Sequence, residues 1–143
     1  MITLKALVRS YIEEVWTRGN LDAVDIFLSP NYRRHLSPTA EPLLLDDQKQ
    51  RLADFRSAFP DVKITIEDVF AEGDCVIFRS TMRGTHKGVF QGIEPTGKTI
   101  TVTLIDIIRV EHGKFVEHWG GPDVFDLLKQ LGAVFSTGYK EAR

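Results

Sequence analysis

Three side chains in the second half of the sequence, Asp106, His118 and Asp123, are of types that transfer protons near neutral pH. Asp106 interrupts an apolar stretch, so its carboxylate must be hydrogen-bonded, ion-paired or placed in a cavity. An apolar surrounding brings the pKa of a carboxyl group closer to the working pH of an acid-base catalyst. Structural roles are open as well: an ion pair for Asp106, a helix N-cap for Asp123, and hydrogen-bonded structural positions for His118 and His35.

The segment from Gly92 to Thr99 matches the phosphate-binding pattern G-x-x-x-x-G-K-[ST] letter for letter. A loop of this kind must open a helix, whose N-terminal amides and dipole hold the phosphates. The residues from Thr99 to Thr103 are all β-branched and predict a strand instead. We therefore interpret Pro95 and Gly97 as turn residues between strands and expect no nucleotide binding.

Composition argues against several other classes of protein. The 18 Lys and Arg residues against 20 Asp and Glu give a net charge of −2, without the cationic surplus that nucleic acids or anionic membranes require. Cys75 is the single cysteine, which excludes an internal disulfide and favours a reducing, cytoplasmic location. The histidines, at positions 35, 86, 112 and 118, lack metal-site spacing, so no metal or other cofactor is expected. No apolar run approaches the ~18 residues of a membrane span, and Arg9, Glu13 and Glu14 interrupt any signal-peptide core.

The length of 143 residues, with 43% hydrophobic types and no repeat or linker, predicts one domain over residues 1–143. Its first part has helical periodicity. Apolar residues recur at three- and four-residue spacing over residues 4–16, between Thr3 as N-cap and Gly19 at the end. We predict a short second helix from Asn20 that stops at Ser29-Pro30, an extended piece over residues 32–36, and a third helix over residues 46–59.

Beyond residue 62 the apolar period changes to alternation and predicts four strands, which begin at residues 62, 75, 99 and 114. A last short helix follows Asp123. With His112-Gly113 as a two-residue turn, the hairpin register pairs Asp106 with Trp119 and places His118 on the opposite face. Helices followed by an antiparallel meander predict an α+β fold with the helices on one face of the sheet.

Several short segments, in order along nearly the whole chain, resemble the SnoaL-like polyketide cyclases of the NTF2-like superfamily, which includes ketosteroid-isomerase-like proteins. The segments are Gly19-Asn20-Leu21-Asp22, Phe59-Pro60-Asp61, Arg83-Gly84-Thr85-His86, Pro95-Thr96-Gly97-Lys98, Glu117-His118-Trp119 with Asp123, and Gln130-Leu131-Gly132. The resemblance implies a cone-shaped α+β fold in which helices and a strongly curved antiparallel sheet enclose an apolar pocket.

The resemblance also implies that Asp123, the acid after the Glu-His-Trp segment, is the general acid-base group. His35, Asp106, His118 and Trp119 would then contact the substrate and shape the pocket. The implied reaction is a cofactor-free ring closure or isomerisation of a polyketide-like or other apolar carbonyl compound. One carboxylate can remove a proton from the carbon between two carbonyl groups and later protonate the new alkoxide. The alternative is a non-catalytic module that binds a small apolar ligand or a protein partner.

One face of the predicted sheet suggests how the chain assembles. It carries Ile105, Ile107 and Val116 among threonines, which is too apolar for a fully wet surface. The helices cannot cover this face because they pack on the opposite one. Together with the resemblance, this predicts a homodimer joined through sheet faces.

Overall fold

In the computed structural model, residues 2–134 are described, and they form four α-helices packed on a five-stranded, mostly antiparallel sheet. The helices are α1 (Leu4–Tyr11), α2 (Val24–Phe27), α3 (Leu45–Ala58) and α4 (Val124–Gln130). The strands are β1 (Leu28–His35), β2 (Lys63–Glu72), β3 (Cys75–Thr85), β4 (Thr99–Glu111) and β5 (Lys114–Pro122). The predicted α+β class is confirmed.

The N-terminal helical region begins at Leu4, as the sequence predicts, and ends at Phe27. Thr3 caps α1, since its Oγ1 accepts a hydrogen bond from the Ala6 N–H at 3.1 Å. A π-helical segment (Ile12–Thr17) continues α1, and a 3-10 turn (Leu21–Ala23) leads into α2. Helix α2 ends at Phe27 with Leu28 as its C-cap, directly before the predicted stop at Ser29-Pro30, and both of these residues belong to β1. Pro30 fits there because β1 is an edge strand, where a missing N–H leaves no ladder bond unmade.

The strands lie in the order β1-β5-β4-β3-β2. The last four strands of the chain pair antiparallel with their neighbours, as predicted, whereas β1 pairs parallel with β5. Parallel strands need a long crossover connection, and the 78 residues from 36 to 113 provide it. Strand β1 thereby brings its side chains next to those of β5.

A β-bulge in the hairpin of β4 and β5 changes the predicted register. The two residue pairs nearest the turn, Glu111 with Lys114 and Val110 with Phe115, are as predicted. The next residue of β4, Arg109, lies opposite Glu117 instead of Val116, so Val116 is an extra residue in β5. Beyond the bulge Asp106 lies opposite Gly120 rather than Trp119. An added residue exchanges the two faces of a strand. The predicted faces of residues 117–119 are therefore wrong: His118 is on the inward face with Asp106, and Trp119 points outward.

The inward face of the sheet packs against the helices and forms the core. Residues of β4 alternate between exposed and buried along nearly the whole strand, with Asp106 in the buried row. On the outward face, one row of side chains crosses all five strands in register. This outer row consists of Phe70, Ile77, Ile107, Trp119 and His35.

The segment with the phosphate-binding pattern lies in a connection between strands. Phe90 and Ile93 form an isolated β-bridge, and β4 begins at Thr99, directly after Lys98. The predicted strand is confirmed at the place where a phosphate-binding loop would need a helix. Over residues 2–134, every helix is too short or too polar to cross a membrane.

Candidate active site

A buried cluster of polar side chains joins β1, β4 and β5. Its members are Tyr32, Arg34, Asp106 and His118, and none of them is more than 5% exposed. The parallel pairing places Arg34 beside His118, and the pairing beyond the bulge turns Asp106 and His118 to the same face. His118 Nε2 lies 2.6 Å from Asp106 Oδ1, while the Tyr32 hydroxyl and Arg34 Nη1 lie 2.8 and 2.9 Å from His118 Nδ1.

The neighbours of His118 determine its protonation. A guanidinium group can only donate hydrogen bonds, so Nδ1 accepts from Arg34, and the ring proton is on Nε2, where it is donated to Asp106. Burial, followed by the positive charge of Arg34, lowers the pKa of His118 from 6.5 to about 4, although Asp106 opposes the shift. At neutral pH the ring is neutral, and Asp106 is held by a directed N–H donor.

This protonation state predicts a loss of stability in acid. Between pH 6.5 and about pH 4 the unfolded chain binds a proton at His118 and the folded chain does not, so the free energy of unfolding falls as the pH falls. At ~1.4 kcal/mol per pKa unit, His118 accounts for about 3 kcal/mol of this loss. Urea denaturation at pH 7 and pH 4.5 should show a smaller pH effect in His118→Asn than in the parent protein.

His112→Asn is the matched control. His112 is exposed in the hairpin turn with φ of 52°, a conformation that Asn tolerates well. It should keep the pH dependence of the parent protein. Equal pH dependence in all three proteins would contradict the protonation assigned to His118.

A small inner cavity adjoins the cluster, and a larger outer cavity shares Arg51 and Phe55 with the inner one. The inner cavity, about 20 Å³, is bordered by Arg34, Asp106 and His118, and its apolar wall includes Trp16, Phe78 and Leu104. It has room for about one water molecule. The outer cavity, about 500 Å³, lies between α3 and the 89–91 segment and is lined by Leu36, Leu43 and Phe90 with polar residues of α3. Its volume is typical of sites for small molecules.

Asp106 presents one carboxylate oxygen that the protein leaves available. Oδ1 accepts from His118, whereas no group within residues 2–134 forms a hydrogen bond with Oδ2. Asp106 lines the inner cavity and is 4% exposed. A buried carboxylate with an unused oxygen on a cavity is able to accept a proton from a bound molecule.

Two buried tyrosines, Tyr11 on the wall of the inner cavity and Tyr32 against His118, are fixed as neutral groups. Burial raises the pKa of Tyr11 to about 12 and raises that of Tyr32 further still. Both hydroxyls therefore keep their protons at neutral pH. Arg34 completes the wall: its Nη2 donates to the Gly120 carbonyl oxygen at 2.7 Å, and its Nε is buried without a hydrogen-bond partner among the described residues.

The structure separates His35 and Trp119 from Asp106 and His118. The two rings stack on the outward face at 5.2 Å between centroids, and His35 Nε2 lies 2.9 Å from Glu117 Oε2. Glu117 also accepts from Arg109 at 2.8 Å, which together with His35 lowers the pKa of Glu117. Neither ring borders the inner or the outer cavity. The structure therefore does not bring these two rings together with Asp106: the bulge at Val116 turns Trp119 outward, and His35 alternates with the buried Arg34 along β1. Their role in substrate binding stays a prediction.

Asp123 lies at the start of α4 and is exposed. Its Oδ1 accepts a hydrogen bond from the Asp126 N–H at 3.0 Å, which is the geometry of an N-cap. Pro122, its neighbour, borders the inner cavity, but Asp123 itself lines neither cavity. The geometry thus joins Asp106 and His118 of the five predicted site residues. The catalytic role of Asp123 stays a prediction.

Sequence reasoning did not identify Tyr32, Arg34 and Arg51 as site residues. Alternation along residues 32–35 could have placed Tyr32 and Arg34 on one face, but their approach to His118 depends on the parallel pairing with β5. Arg51 gives no signal in the sequence, where it is one of many polar residues in α3.

Comparison with protein families matches residues 6–131 to the SnoaL-like polyketide cyclase family. A comparison with curated proteins gave no match. Among solved structures, AclR from Streptomyces galilaeus, described as a candidate hydroxylase, superimposes with a TM-score of 0.83 and 30% sequence identity. The match covers 92% of this chain and 86% of AclR.

Two further structures are similar over nearly their whole length. IdmH from Streptomyces antibioticus, described as a candidate polyketide cyclase, has 29% identity and a TM-score of 0.78, covering 90% of this chain and 97% of IdmH. TsrD from Streptomyces laurentii has 30% identity and a TM-score of 0.80, covering 92% of this chain and 96% of TsrD. These likenesses agree with the α+β architecture.

Proposed function

Because the chain belongs to the SnoaL-like polyketide cyclase family, we propose that it catalyses a cofactor-free ring closure or isomerisation of a small carbonyl compound, with Asp106 as the acid-base group. The observation that carries the proposal is the unused Oδ2 of Asp106 on the inner cavity, with Oδ1 held by His118. AclR, which has a similar structure, is described as a candidate hydroxylase, so structural similarity alone does not fix the reaction. The proposal therefore rests on the geometry of this site.

The proposed steps need only a proton and an electron pair. Asp106 Oδ2 accepts a proton from a carbon between two carbonyl groups, and the C–H electrons form an enolate. The enolate carbon attacks the carbon of a third, more distant carbonyl group of the same molecule. The new C–C bond forms as the π electrons of that carbonyl move to its oxygen, which becomes an alkoxide. The protonated Asp106 then returns its proton to the alkoxide. No cofactor is needed because a proton between two carbonyl groups is already acidic.

His118, Arg34 and Tyr32 support these steps by holding the base in place. The neutral His118 fixes one oxygen of Asp106, and Arg34 and Tyr32 fix the ring of His118. The charge of Arg34 beside the cavity would stabilise negative charge that develops on the substrate. The body of the substrate would occupy the outer cavity. Because the inner cavity has room for about one water molecule, the reacting carbon would reach Asp106 only when the side chains of Arg51 and Phe55 move apart.

The proposal is tested with β-dicarbonyl compounds and linear polyketide-like esters. Nuclear magnetic resonance in D₂O would follow exchange of the proton between the carbonyl groups and the appearance of cyclised product. Protein-dependent exchange at a rate above that of buffer supports acid-base catalysis. Tight binding in the outer cavity with no exchange in any compound would favour a non-catalytic binding module instead.

We also propose that the chain forms a homodimer through the outward face of the sheet. The support is the outer row, in which Phe70 is 63% and Ile77 42% exposed, and the neighbouring Ile105, which is 55% exposed. Exposed apolar side chains in a continuous row favour burial against another surface.

A cytoplasmic location, predicted from the single cysteine, remains part of the proposed function.

Light scattering at micromolar concentration should therefore give a mass twice the 16.2 kDa of one chain. Ile105→Lys should raise the dissociation constant of the dimer at least about tenfold, because each copy would bury an unpaired charge. Ile26→Lys is the matched control, since Ile26 is 66% exposed on α2 and is not part of the sheet. A single-chain mass for the parent protein would contradict the proposal.

A further inference from the structure

Arg51 lies where the two cavities meet and has no carboxylate partner within the described residues. It lines both cavities from α3, and its guanidinium Cζ is 5.2 Å from the centre of the Phe55 ring. Burial, followed by repulsion from Arg34, lowers the pKa of Arg51 to about 10. The group remains charged at neutral pH. A half-buried cation with no counter-ion is costly unless something else supplies the negative charge.

The charges around the inner cavity leave a cationic surplus. Arg34 and Arg51 are both positive, Asp106 is the acid of this cavity, and His118 is neutral. Arg34 forms no ion pair within residues 2–134, and its buried Nε–H has no acceptor there. The cavity wall therefore has one more positive than negative charge, together with an unused donor.

The acids of the outer cavity do not balance this surplus. Asp47 and Asp54 line it, but both are exposed to water. Asp47 Oδ2 accepts from the Leu44 N–H at 2.9 Å, and Asp54 Oδ1 accepts from Gln50 Nε2 at 2.8 Å. Solvent screens exposed charges, whereas the charges of the inner cavity are screened less.

We infer that the substrate is an anionic carbonyl compound, a keto acid with a free carboxylate, and that Arg51 binds the carboxylate at the junction of the two cavities. This inference rests on the proposed function, because it names the substrate class of the same site. A guanidinium group matches a carboxylate with two parallel hydrogen bonds, and the charge of Arg34 adds to the attraction. A neutral ester of the same shape would lack these contacts.

The test measures binding separately from turnover. Isothermal titration compares 2-naphthoate with 2-naphthamide, which have the same ring system and differ in charge. The protein should bind 2-naphthoate about 10- to 100-fold more tightly, as expected for charge-assisted hydrogen bonds. Arg51→Gln should abolish the preference, and Arg51→Lys, which keeps the charge, should restore part of it.

Arg33→Gln is the matched control, because Arg33 is the exposed neighbour of Arg34 on β1. It should keep the full preference, and thermal denaturation should show all variants folded. Equal affinity for the two probes, no binding of 2-naphthoate, or a preference that survives in Arg51→Gln would each overturn the inference. The proposed function is tested separately, by proton exchange in neutral β-dicarbonyl compounds. That exchange can be present even when the two naphthalene probes show no charge preference, so the failure of one claim is distinguishable from the failure of the other.

Discussion

Replacement of Asp106 by Asn is expected to lower the turnover of a β-dicarbonyl substrate by about 10²- to 10⁴-fold, the usual contribution of a positioned acid-base group. The Asn side chain has the shape of Asp and keeps an oxygen that can accept from His118 Nε2. It cannot accept or return a proton at neutral pH. The rate should therefore fall while the fold remains, as measured by proton exchange in D₂O alongside the thermal midpoint.

Asp123→Asn gives the decisive comparison. Asn caps helices about as well as Asp, so α4 and the thermal midpoint should change little. If Asp106 is the base, this variant retains turnover. Full turnover in Asp106→Asn with loss in Asp123→Asn would contradict our assignment and support the role that family resemblance implies for Asp123.

Gly120→Ala should lower the free energy of unfolding by more than about 3 kcal/mol, a loss typical of severe backbone and packing conflicts. Gly120 has φ of 86°, which L-residues with a side chain rarely adopt. A Cβ at this position would also overlap the carbonyl oxygen of Ile105. The displaced strand would disturb the hydrogen bond from Arg34 to the Gly120 oxygen and the pairing of Asp106.

Gly113→Ala measures the part of this loss in the free energy of unfolding that comes from backbone strain alone. Gly113 has φ of 75° in the exposed hairpin turn, and an added Cβ meets nothing within 4 Å. The expected loss is about 1 kcal/mol. Urea denaturation of both variants separates the cost of backbone strain from the cost of the overlap between the added Cβ and the Ile105 oxygen. Similar losses in the free energy of unfolding would show that the contact with Ile105 relaxes at little cost.

The elements of this fold follow from sequence periodicity because each depends on neighbours along the chain. The Thr3 cap, the alternation in β4 and the strand after Lys98 are all local features, and all are confirmed. The family resemblance, confirmed by the match over residues 6–131, added the way in which these elements assemble.

The site was harder to predict because it depends on two non-local features. A bulge of one residue at Val116 inverts the following part of β5, and no residue type in the Phe115 to Glu117 segment marks it. The parallel pairing that brings Arg34 to His118 joins residues 84 positions apart. Asp106 was recognisable because an acid in an apolar row violates the pattern, whereas Arg34 and Tyr32 violate nothing locally.

The alternation of β4 and β5 also limits how this site can evolve. Asp106 and His118 are each followed in sequence by a member of the outer row, Ile107 and Trp119. The buried polar cluster and the outward contacts can therefore change independently by substitution at adjacent positions. A deletion or insertion within either strand would exchange the two sets at once, as the extra residue at Val116 already does for one stretch. Length variation among descendants of this chain should consequently be confined to connections such as residues 86–98, with the sheet itself constant in length.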